Sequence, residues 1–221
     1  MELEILQETV GENMIKIEVV KVGFLETNCY LVYDDERKEV IITDPGGSTD
    51  YIISCIEKLE LKPVAIFLTH AHVDHILGLE EIRNKYDLPI YIQEGDVPML
   101  SNGELNLGHV EVHLSEKDHI LKGEEDLNIA GMNIKTLATP GHTLGGGCYY
   151  FPDANFVLAG DTMFRYSWGR TDFPGGSEIA LMDSIRNKLL PLPEDTIVYP
   201  GHECATIIRD ERKIHNYKSE E

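Results

Sequence analysis

Short runs of β-branched and aromatic residues recur along the chain, and between them the apolar residues follow a helical spacing. Runs of this kind predict β-strands when turn-forming residues bound them. The predicted strands are Ile15–Val20, Cys29–Tyr33, Val40–Thr43, Val64–Leu68, Ile90–Ile92, Ile134–Leu137, Phe156–Leu158 and Thr196–Tyr199. The alternation of strands with helical segments predicts an α/β fold.

Three segments place apolar residues three and four positions apart, which is the spacing of one helix face. The first of them follows Ser48 and Thr49, which are candidate N-caps. The three faces consist of Ile52, Ile53, Ile56 and Leu59; of Ile76, Leu79, Ile82 and Tyr86; and of Ile179, Met182, Ile185 and Leu189. The segment 102–128 shows neither periodicity clearly.

Four predicted strands run directly into residues that commonly bind metals. The strands that end near residues 68, 137, 158 and 199 are followed by His70, His142, Asp161 and His202. Taken alone, each of these residues has an ordinary structural interpretation as a capping or packing group. Because strand ends at one sheet edge can converge, their shared context favours a common site.

Four residues of types that bind metals stand within six positions in the segment 69–78, which reads THAHVDHILG. His70 and His72 are two positions apart and share one side of an extended chain, whereas Asp74 and His75 enter the next turn from another direction. The alternative is a run of surface and capping histidines. Burying so many unpaired polar groups would cost several kcal/mol, so the spacing favours metal binding.

Imidazole and carboxylate ligands suit zinc, iron or manganese, and no cysteine stands at a ligand position. We expect two divalent metal ions, with zinc preferred. Two such ions bind a bridging water and lower its pKa, which generates a hydroxide nucleophile without a separate general base. Asp74 is a candidate to accept a proton during the reaction.

Composition and charge narrow the class of protein. The chain has 221 residues with 42% hydrophobic content, which predicts a single domain over residues 1–221, with 1–13 as a loose N-terminal extension. No stretch approaches about 20 apolar residues, and the start of the chain is acidic, so we expect no membrane span, no signal peptide and a cytoplasmic location.

The charge balance is strongly acidic, with 19 lysines and arginines against 39 aspartates and glutamates. A net charge of -20 repels phosphate backbones, so we expect a small-molecule substrate and no nucleic acid. The four cysteines form no CxxC pair and are expected to be reduced, with Cys148 and Cys204 as buried thiols. The oligomeric state is not indicated.

Five motifs in order, THAHVDH, TPGHTLGG, AGDTMF, GRTDFPGG and YPGHE, resemble those of the metallo-β-lactamase superfamily and, within it, the glyoxalase II-like hydrolases. The resemblance covers most of the chain and implies a four-layer αβ/βα sandwich with two mixed β-sheets between helices. It also implies two ligand groups joined by a bridging Asp161. These groups are His70, His72 and His142 for one metal, and Asp74, His75 and His202 for the other.

The resemblance further implies roles for residues around the metals. Asp44 would orient a metal-binding histidine, although an ordinary Asp-Pro-Gly turn is equally compatible with the sequence. Arg170 would meet a substrate carboxylate, with an ion pair to Asp172 or Asp161 as the alternative. Asn28 is expected to have a structural hydrogen-bonding role. Phe164, Tyr166 and Trp168 would line an acyl pocket or serve in packing.

The implied activity is hydrolysis of a thioester such as an S-acylglutathione-like compound. Glyoxalase II proper carries a C-terminal helical domain that grips glutathione, and this chain has 19 residues after His202, which weakens the expectation for that thiol. The alternative is a persulfide dioxygenase with a single iron. A β-lactamase, an RNA-processing nuclease and a non-catalytic binding module are less compatible with these motifs and this charge.

Overall fold

Two mixed six-stranded sheets form the centre of the computed structural model, which describes residues 15–216. The first sheet has the strand order β1-β2-β3-β4-β5-β6. Its strands are β1 Ile15–Val22, β2 Thr27–Asp34, β3 Glu39–Thr43, β4 Lys62–Phe67, β5 Ile90–Gln93 and β6 His119–Leu121. Neighbouring strands are antiparallel from β1 to β3 and parallel from β3 to β6. The expected extension 1–13 lies outside the described residues.

The second sheet is built from the second half of the described chain. Its strands are β7 Asp126–Ile129, β8 Met132–Ala138, β9 Gly147–Phe151, β10 Phe156–Gly160, β13 Ile197–Pro200 and β14 Thr206–Ile207. The spatial order is β14-β13-β10-β9-β8-β7, and only the β10–β13 pair is parallel. A small hairpin of β11 Met163–Phe164 and β12 Ser167–Trp168 follows β10.

Helices cover the outer face of each sheet. Their ranges are α1 Thr49–Lys58, α2 Val73–Ile76, α3 Leu79–Tyr86, α4 Val97–Leu100, α5 Glu178–Ser184 and α6 Ile208–Ile214, with a π-helical turn at Ile185–Leu189. The predicted four-layer sandwich is confirmed. No described helix has the length and apolar character needed to cross a bilayer.

Three apolar clusters fill the spaces between these four layers. The central cluster lies between the sheets, where Phe67 of the first sheet packs against Tyr149 of the second with ring centroids 4.5 Å apart. A second cluster joins α1 and α3 to the first sheet, and a third joins α5 and α6 to the second. Burial of this apolar surface is the main force that holds the layers together.

Several helix predictions need correction. The predicted face Ile76–Tyr86 is divided between α2 and α3, with a break at Gly78, where an added Cβ would lie 2.9 Å from the Pro45 carbonyl oxygen. Ser48 makes no side-chain cap to α1; its hydroxyl instead accepts a hydrogen bond from the Gly23 amide. Ile179 is 86% exposed, so the buried face of α5 does not include it.

The sheets are joined directly beside the end of β4. The Gly147 amide donates to the Thr69 carbonyl oxygen at 2.8 Å, and the Tyr149 hydroxyl donates to the Leu68 carbonyl oxygen at 2.8 Å. Both sheets therefore present strand ends at one shared edge.

Candidate metal centre

The loops that follow β3, β4, β8, β10 and β13 meet at this shared edge. Each loop carries one or more of the predicted site residues, and the structure brings all seven predicted ligands together. They form three overlapping groups in which the possible ligand atoms lie within 4.8 Å of one another: His70, His72 and His142; His70, His75 and Asp161; and Asp74, His75 and His202.

The geometry of the segment 69–76 follows from its sequence. The chain leaves β4 in an extended conformation, and His72 is the last residue before α2, whose first turn contains Asp74. This change from strand to helix aims the side chains at the centre from two directions. Gly46 permits the close approach of α2, since a Cβ there would lie 1.6 Å from the Asp74 carbonyl oxygen.

Asp161 lies between the two predicted ligand groups. Its Oδ2 is 3.6 Å from Nε2 of both His142 and His202, and its Oδ1 is 3.5 Å from Nε2 of His75. Asp161 therefore contacts both ligand groups. Its Oδ2 lies near His142 of the first group and His202 of the second, and its Oδ1 lies near His75 of the second. Gly201 makes room for it, because an added Cβ would lie 2.2 Å from Asp161 Oδ1.

Four of the five histidines have their Nδ1 atoms fixed by an oxygen acceptor. His75 Nδ1 lies 3.0 Å from Asp44 Oδ2, His142 Nδ1 lies 2.7 Å from the Arg170 carbonyl oxygen, and His202 Nδ1 lies 3.2 Å from the Leu25 carbonyl oxygen. His70 Nδ1 lies 3.2 Å from the Thr69 hydroxyl. A proton on each Nδ1 leaves the lone pair on Nε2, which is the atom turned towards the other ligands.

Asp44 supports this arrangement from beneath. Its Oδ1 accepts from the Thr69 amide at 2.8 Å, and its Oδ2 accepts from the Thr69 hydroxyl at 2.6 Å. Because the Thr69 hydroxyl donates its single hydrogen to Asp44, it can only accept from His70 Nδ1. Asp44 therefore orients His75 directly and His70 through Thr69, rather than serving only as a turn residue.

The buried atoms that face inward lack protein partners. In the described part of the chain, Nε2 of His70 and His75 and Oδ1 of Asp161 are buried without a hydrogen-bond partner. His72 instead turns its Nδ1 towards the centre, 2.9 Å from His142 Nε2. An unpartnered buried polar atom costs about 1–3 kcal/mol, and cations would satisfy several of these atoms at once. The donor set thus fits divalent metal ions.

The protonation states also suit metal binding. Burial, helped by the neighbouring His75, lowers the pKa of His70 well below its usual range, and burial with His142 lowers the pKa of His72 to about 4. Burial alone would raise the pKa of Asp161, but His75 holds it below the usual value. The imidazoles of His70 and His72 are thereby neutral and the Asp161 carboxylate is charged near neutral pH, as ligands must be.

His75 behaves differently because it is surrounded by carboxylates. Burial would lower its pKa, but Asp161 and Asp44 raise it well above the usual range. A metal at Nε2 would take the place of that proton, since metal binding releases protons from its ligands.

The Arg170 guanidinium does not point freely into the centre. It makes a bidentate ion pair with Asp172, with Nε and Nη2 each 2.7 Å from a carboxylate oxygen, and it lies 3.8 Å from the centroid of the Phe173 ring. The predicted Asp172 pair is therefore present, while a carboxylate-binding role stays a prediction. The Arg170 backbone carbonyl has a separate role in fixing His142.

Asp96 is a buried residue that the sequence analysis missed. Its Oδ2 accepts from the Ala71 amide at 3.0 Å and the Thr143 hydroxyl at 2.9 Å, and its Oδ1 accepts from the Gly145 amide at 2.6 Å. Ala71 lies between two predicted ligands and Thr143 follows a third. One carboxylate thus joins the two loops that carry the first group. A single acid in QEGD gives no sequence signal for this role.

Thr27 and Asn28 support the second group in a similar way. The Thr27 hydroxyl donates to Asp74 Oδ2 at 3.2 Å. The Asn28 side-chain amide donates to the carbonyl oxygens of Pro200 and Glu203 at 3.0 and 3.1 Å. The Asn28 backbone amide donates to the Gly201 carbonyl oxygen at 2.7 Å. The expected structural role of Asn28 is to hold the loop that carries His202.

The two cysteines nearest the centre differ in exposure. Cys148 is fully buried, as expected, and burial raises the pKa of its thiol to about 11. Cys204 is exposed, and the prediction of a buried thiol is wrong there. The chain leaves the sheet after Pro200 and passes through Glu203 with a φ of 65°, which brings Cys204 to the surface beside Arg165.

Comparisons with known proteins agree with this geometry. The model of the metallo-β-lactamase superfamily matches residues 22–202. The chain is 40% identical over 195 residues to the probable metallo-hydrolase YqgX of Bacillus subtilis (strain 168), a match that covers 86% of this chain and 92% of the relative. It is 33% identical over 209 residues to the hydroxyacylglutathione hydrolase GloC of Haemophilus influenzae, covering 92% and 98% of the two chains.

Two solved structures are similar over nearly their whole length. One is the BLEG-1 B3 metallo-β-lactamase, with a TM-score of 0.83 and 37% identity, covering 89% of this chain and 96% of that one. The other is TTHA1623 in a di-iron-bound form, with a TM-score of 0.76 and 32% identity, covering 89% and 97%.

Proposed function

This chain belongs to the metallo-β-lactamase superfamily, and from that premise we propose that it is a two-metal hydrolase of thioesters of the S-acylglutathione class. The coarser statement, a hydrolase of this superfamily with a histidine and aspartate cluster for divalent metals, already follows from the family and the cluster. The proposal adds the number of metals and the class of substrate.

The observation that carries the two-metal part is the position of Asp161, whose carboxylate lies against histidines of both ligand groups. His70, His72 and His142 would hold one ion, Asp74, His75 and His202 would hold the second, and Asp161 would contact both. Bound there, such ions lower the pKa of a water molecule and polarise a carbonyl group.

The chain's own residues orient and protect this chemistry. Asp44, Thr69, Arg170 and Leu25 provide the oxygen acceptors that keep the histidine lone pairs turned inward. Burial would raise the pKa of Asp74, but hydrogen bonding to His202 and the charge of His75 lower it well below its usual value. The carboxylate is therefore charged near neutral pH, which suits a metal ligand and makes it a weak proton acceptor.

The substrate class rests on the relatives and on the walls of the site. The match to GloC covers 98% of that hydroxyacylglutathione hydrolase, so the aligned part is nearly its whole length. Aromatic rings flank both ligand groups: Phe173 lies 5.6 Å from the His72 ring and Phe164 lies 6.2 Å from the His202 ring. These rings offer an apolar surface for an acyl group.

The test is a direct comparison of metals and reactions. Apoprotein is loaded separately with zinc and with ferrous iron, and thioester cleavage is followed without oxygen. Oxygen uptake with glutathione persulfide is followed in parallel, because redox-active iron is needed for oxygen chemistry but not for hydrolysis. The Asp161→Ala variant, loaded with each metal in the same way, is the control for activity that comes from metal bound outside the centre.

We expect zinc to support anaerobic cleavage of the thioester by the original chain and not by the control. Iron-supported anaerobic cleavage would agree with the proposal and with the di-iron relative. Negligible cleavage with either metal, beside rapid iron-dependent oxygen uptake, would overturn the hydrolase in favour of a persulfide dioxygenase.

A further inference from the structure

We infer that Glu211 is a positioning residue, which holds the hairpin 163–168 beside the second ligand group and thereby sets the selectivity of the site for the acyl group. The inference rests on the proposed function, since it concerns the acyl wall of that same site. The hairpin consists of β11, β12 and the two turn residues between them, Arg165 and Tyr166. Glu211 lies on α6.

Both ends of the hairpin are joined to the metal centre. It begins two residues after Asp161 and ends two residues before Arg170, whose carbonyl oxygen fixes His142. Within the hairpin, the Phe164 ring lies 6.2 Å from the His202 ring. A shift of the hairpin therefore moves the apolar ring that flanks the second ligand group.

The hairpin has little to hold it in place by itself. Each of its strands has only two residues, and Tyr166 in the turn has a φ of 62°. Left-handed backbone is strained for a bulky residue, and two-residue turns usually place glycine or asparagine there. The hairpin therefore depends on contacts outside it to keep this conformation.

Glu211 supplies such a contact from α6. Its side chain is fully buried, and both of its carboxylate oxygens accept from the Tyr166 amide, at 3.1 and 3.2 Å. Its Oε1 also accepts from the Thr206 hydroxyl at 2.6 Å. Thr206 belongs to β14, which pairs with β13, the strand that leads into His202. One carboxylate thus joins the turn of the hairpin to the strands beside the second ligand group.

The position of Phe164 bears on the acyl group, because an apolar chain gains affinity with each methylene that it buries. That gain is roughly fourfold per methylene. A hexanoyl group can reach further along an apolar wall than an acetyl group can. The ratio of kcat/KM for hexanoyl and acetyl thioesters of one thiol therefore reports how closely the ring is held.

Trp168 reports the position of the hairpin without any turnover, because it is the single tryptophan of the chain. It pairs with Met163 across the hairpin, and its side chain is 40% exposed. Quenching of its fluorescence by acrylamide is measured on the metal-loaded full chain. The pH is kept constant because the His215 ring lies 5.6 Å from the Trp168 ring.

Two variants grade the loss of the contact. Glu211→Met keeps the length of the side chain but has no carboxylate oxygen, whereas Glu211→Gln retains one acceptor oxygen. The matched control is Asp118→Asn, which also replaces a buried carboxylate by an amide. The hydrogen bonds of Asp118 go to Arg83, Ser115 and Ile90, at the edge of the first sheet.

Phe164→Ala, alone and combined with Glu211→Met, tests whether the carboxylate acts through this ring. Two residues that act through one contact have non-additive effects. A carboxylate that only stabilises the fold would lower the ratio by the same factor whether or not the ring is present.

We expect quenching of Trp168 to rise in Glu211→Met, to rise less in Glu211→Gln and to stay unchanged in Asp118→Asn. The hexanoyl to acetyl ratio should fall about tenfold in Glu211→Met, mainly through KM, because contact with one or two methylenes is lost. Phe164→Ala should lower the ratio similarly, and the double variant should lower it no further.

Unchanged quenching in Glu211→Met would overturn the positioning role. An equal fall of the ratio in Asp118→Asn, or additive losses in the double variant, would overturn the link to acyl selectivity. If the original chain cleaves neither thioester, the proposed function fails and the acyl selectivity fails with it. Quenching then still decides whether Glu211 holds the hairpin.

Discussion

The two ligand groups of the metal centre differ in how they are held. His70, His72 and His142 are 2%, 4% and 5% exposed, and Asp96 joins their loops from within the protein. The side chains of Asp74 and His202 are 15% and 21% exposed. The first group is thus wholly buried, whereas two of the three ligands of the second group are partly exposed beside the buried His75.

The supports of the second group are also less enclosed. His202 Nδ1 bonds to the carbonyl oxygen of Leu25, a 50% exposed residue in the turn between β1 and β2. Elements with few buried contacts open at lower free-energy cost than the core. We therefore expect the first group to bind its metal more tightly and the second to exchange its metal more readily, with substrate approaching from that side.

The sharpest way to break this comparison is to remove one histidine from each group. His70 belongs to the group expected to bind its metal more tightly, so His70→Ala should leave only the position that loses its metal readily, and should abolish hydrolysis. His202→Ala should retain one metal per chain. Metal content after dialysis measures the difference, and equal loss in both variants would contradict the asymmetry.

Asp161 is the contact between the groups, so its removal tests whether they act together. Asp161→Ala should retain at most one metal and lower kcat on the order of a thousandfold, because both metals would lose a shared charged ligand. Circular dichroism should show an intact fold. Full activity with a single metal per chain would refute the two-metal mechanism.

Asp96 tests whether the first group owes its rigidity to buried hydrogen bonds. Asp96→Ala leaves three buried donors, from Ala71, Thr143 and Gly145, without their acceptor and should lower the free energy of unfolding by about 3 kcal/mol. Thermal unfolding of apoprotein measures this effect. Asp195→Ala, which removes one exposed ion pair with Arg209, is the control and should cost less than about 1 kcal/mol. Similar losses in both variants would show that Asp96 is not a special support.

The smallest effect concerns Arg170, whose guanidinium lies at the open side. If it binds a substrate carboxylate, Arg170→Ala should raise KM about tenfold for carboxylate-bearing thioesters and little for neutral ones. Steady-state kinetics on a matched pair of substrates measures the split. An equal rise in KM for both substrates, together with a lower melting temperature, would favour a purely structural role for Arg170 in its ion pair with Asp172.

The sequence was most informative where spacing and chemistry coincided. THAHVDH, with three further residues at strand ends, was enough to predict the convergence of seven side chains, because strand ends at one edge leave few other arrangements. Asp44 was weighed against an ordinary turn, and only its contacts with Thr69 and His75 distinguish the two. Asp96 was missed because its partners are distant in sequence and are mostly backbone amides.

The missed secondary structure has equally physical reasons. All five residues of β9 are buried, so the strand lacks the alternation that marks a half-exposed strand. β6 and the polar strand β7 lie within or next to segment 102–128 and are only three and four residues long. The exposed position of Ile179 is a tertiary effect that helical periodicity cannot reveal.

The contribution of both halves of the chain to one edge has a consequence for synthesis on the ribosome. His70, His72, Asp74 and His75 are made first, while His202 follows His75 by 127 residues. At roughly 5–20 residues per second, that interval lasts roughly 6–25 s. For the first 86 residues of that interval, until Asp161 is made, the nascent chain presents four ligands without the carboxylate that contacts both groups. Complete loading of the proposed two-metal centre is therefore expected only after His202 has been made.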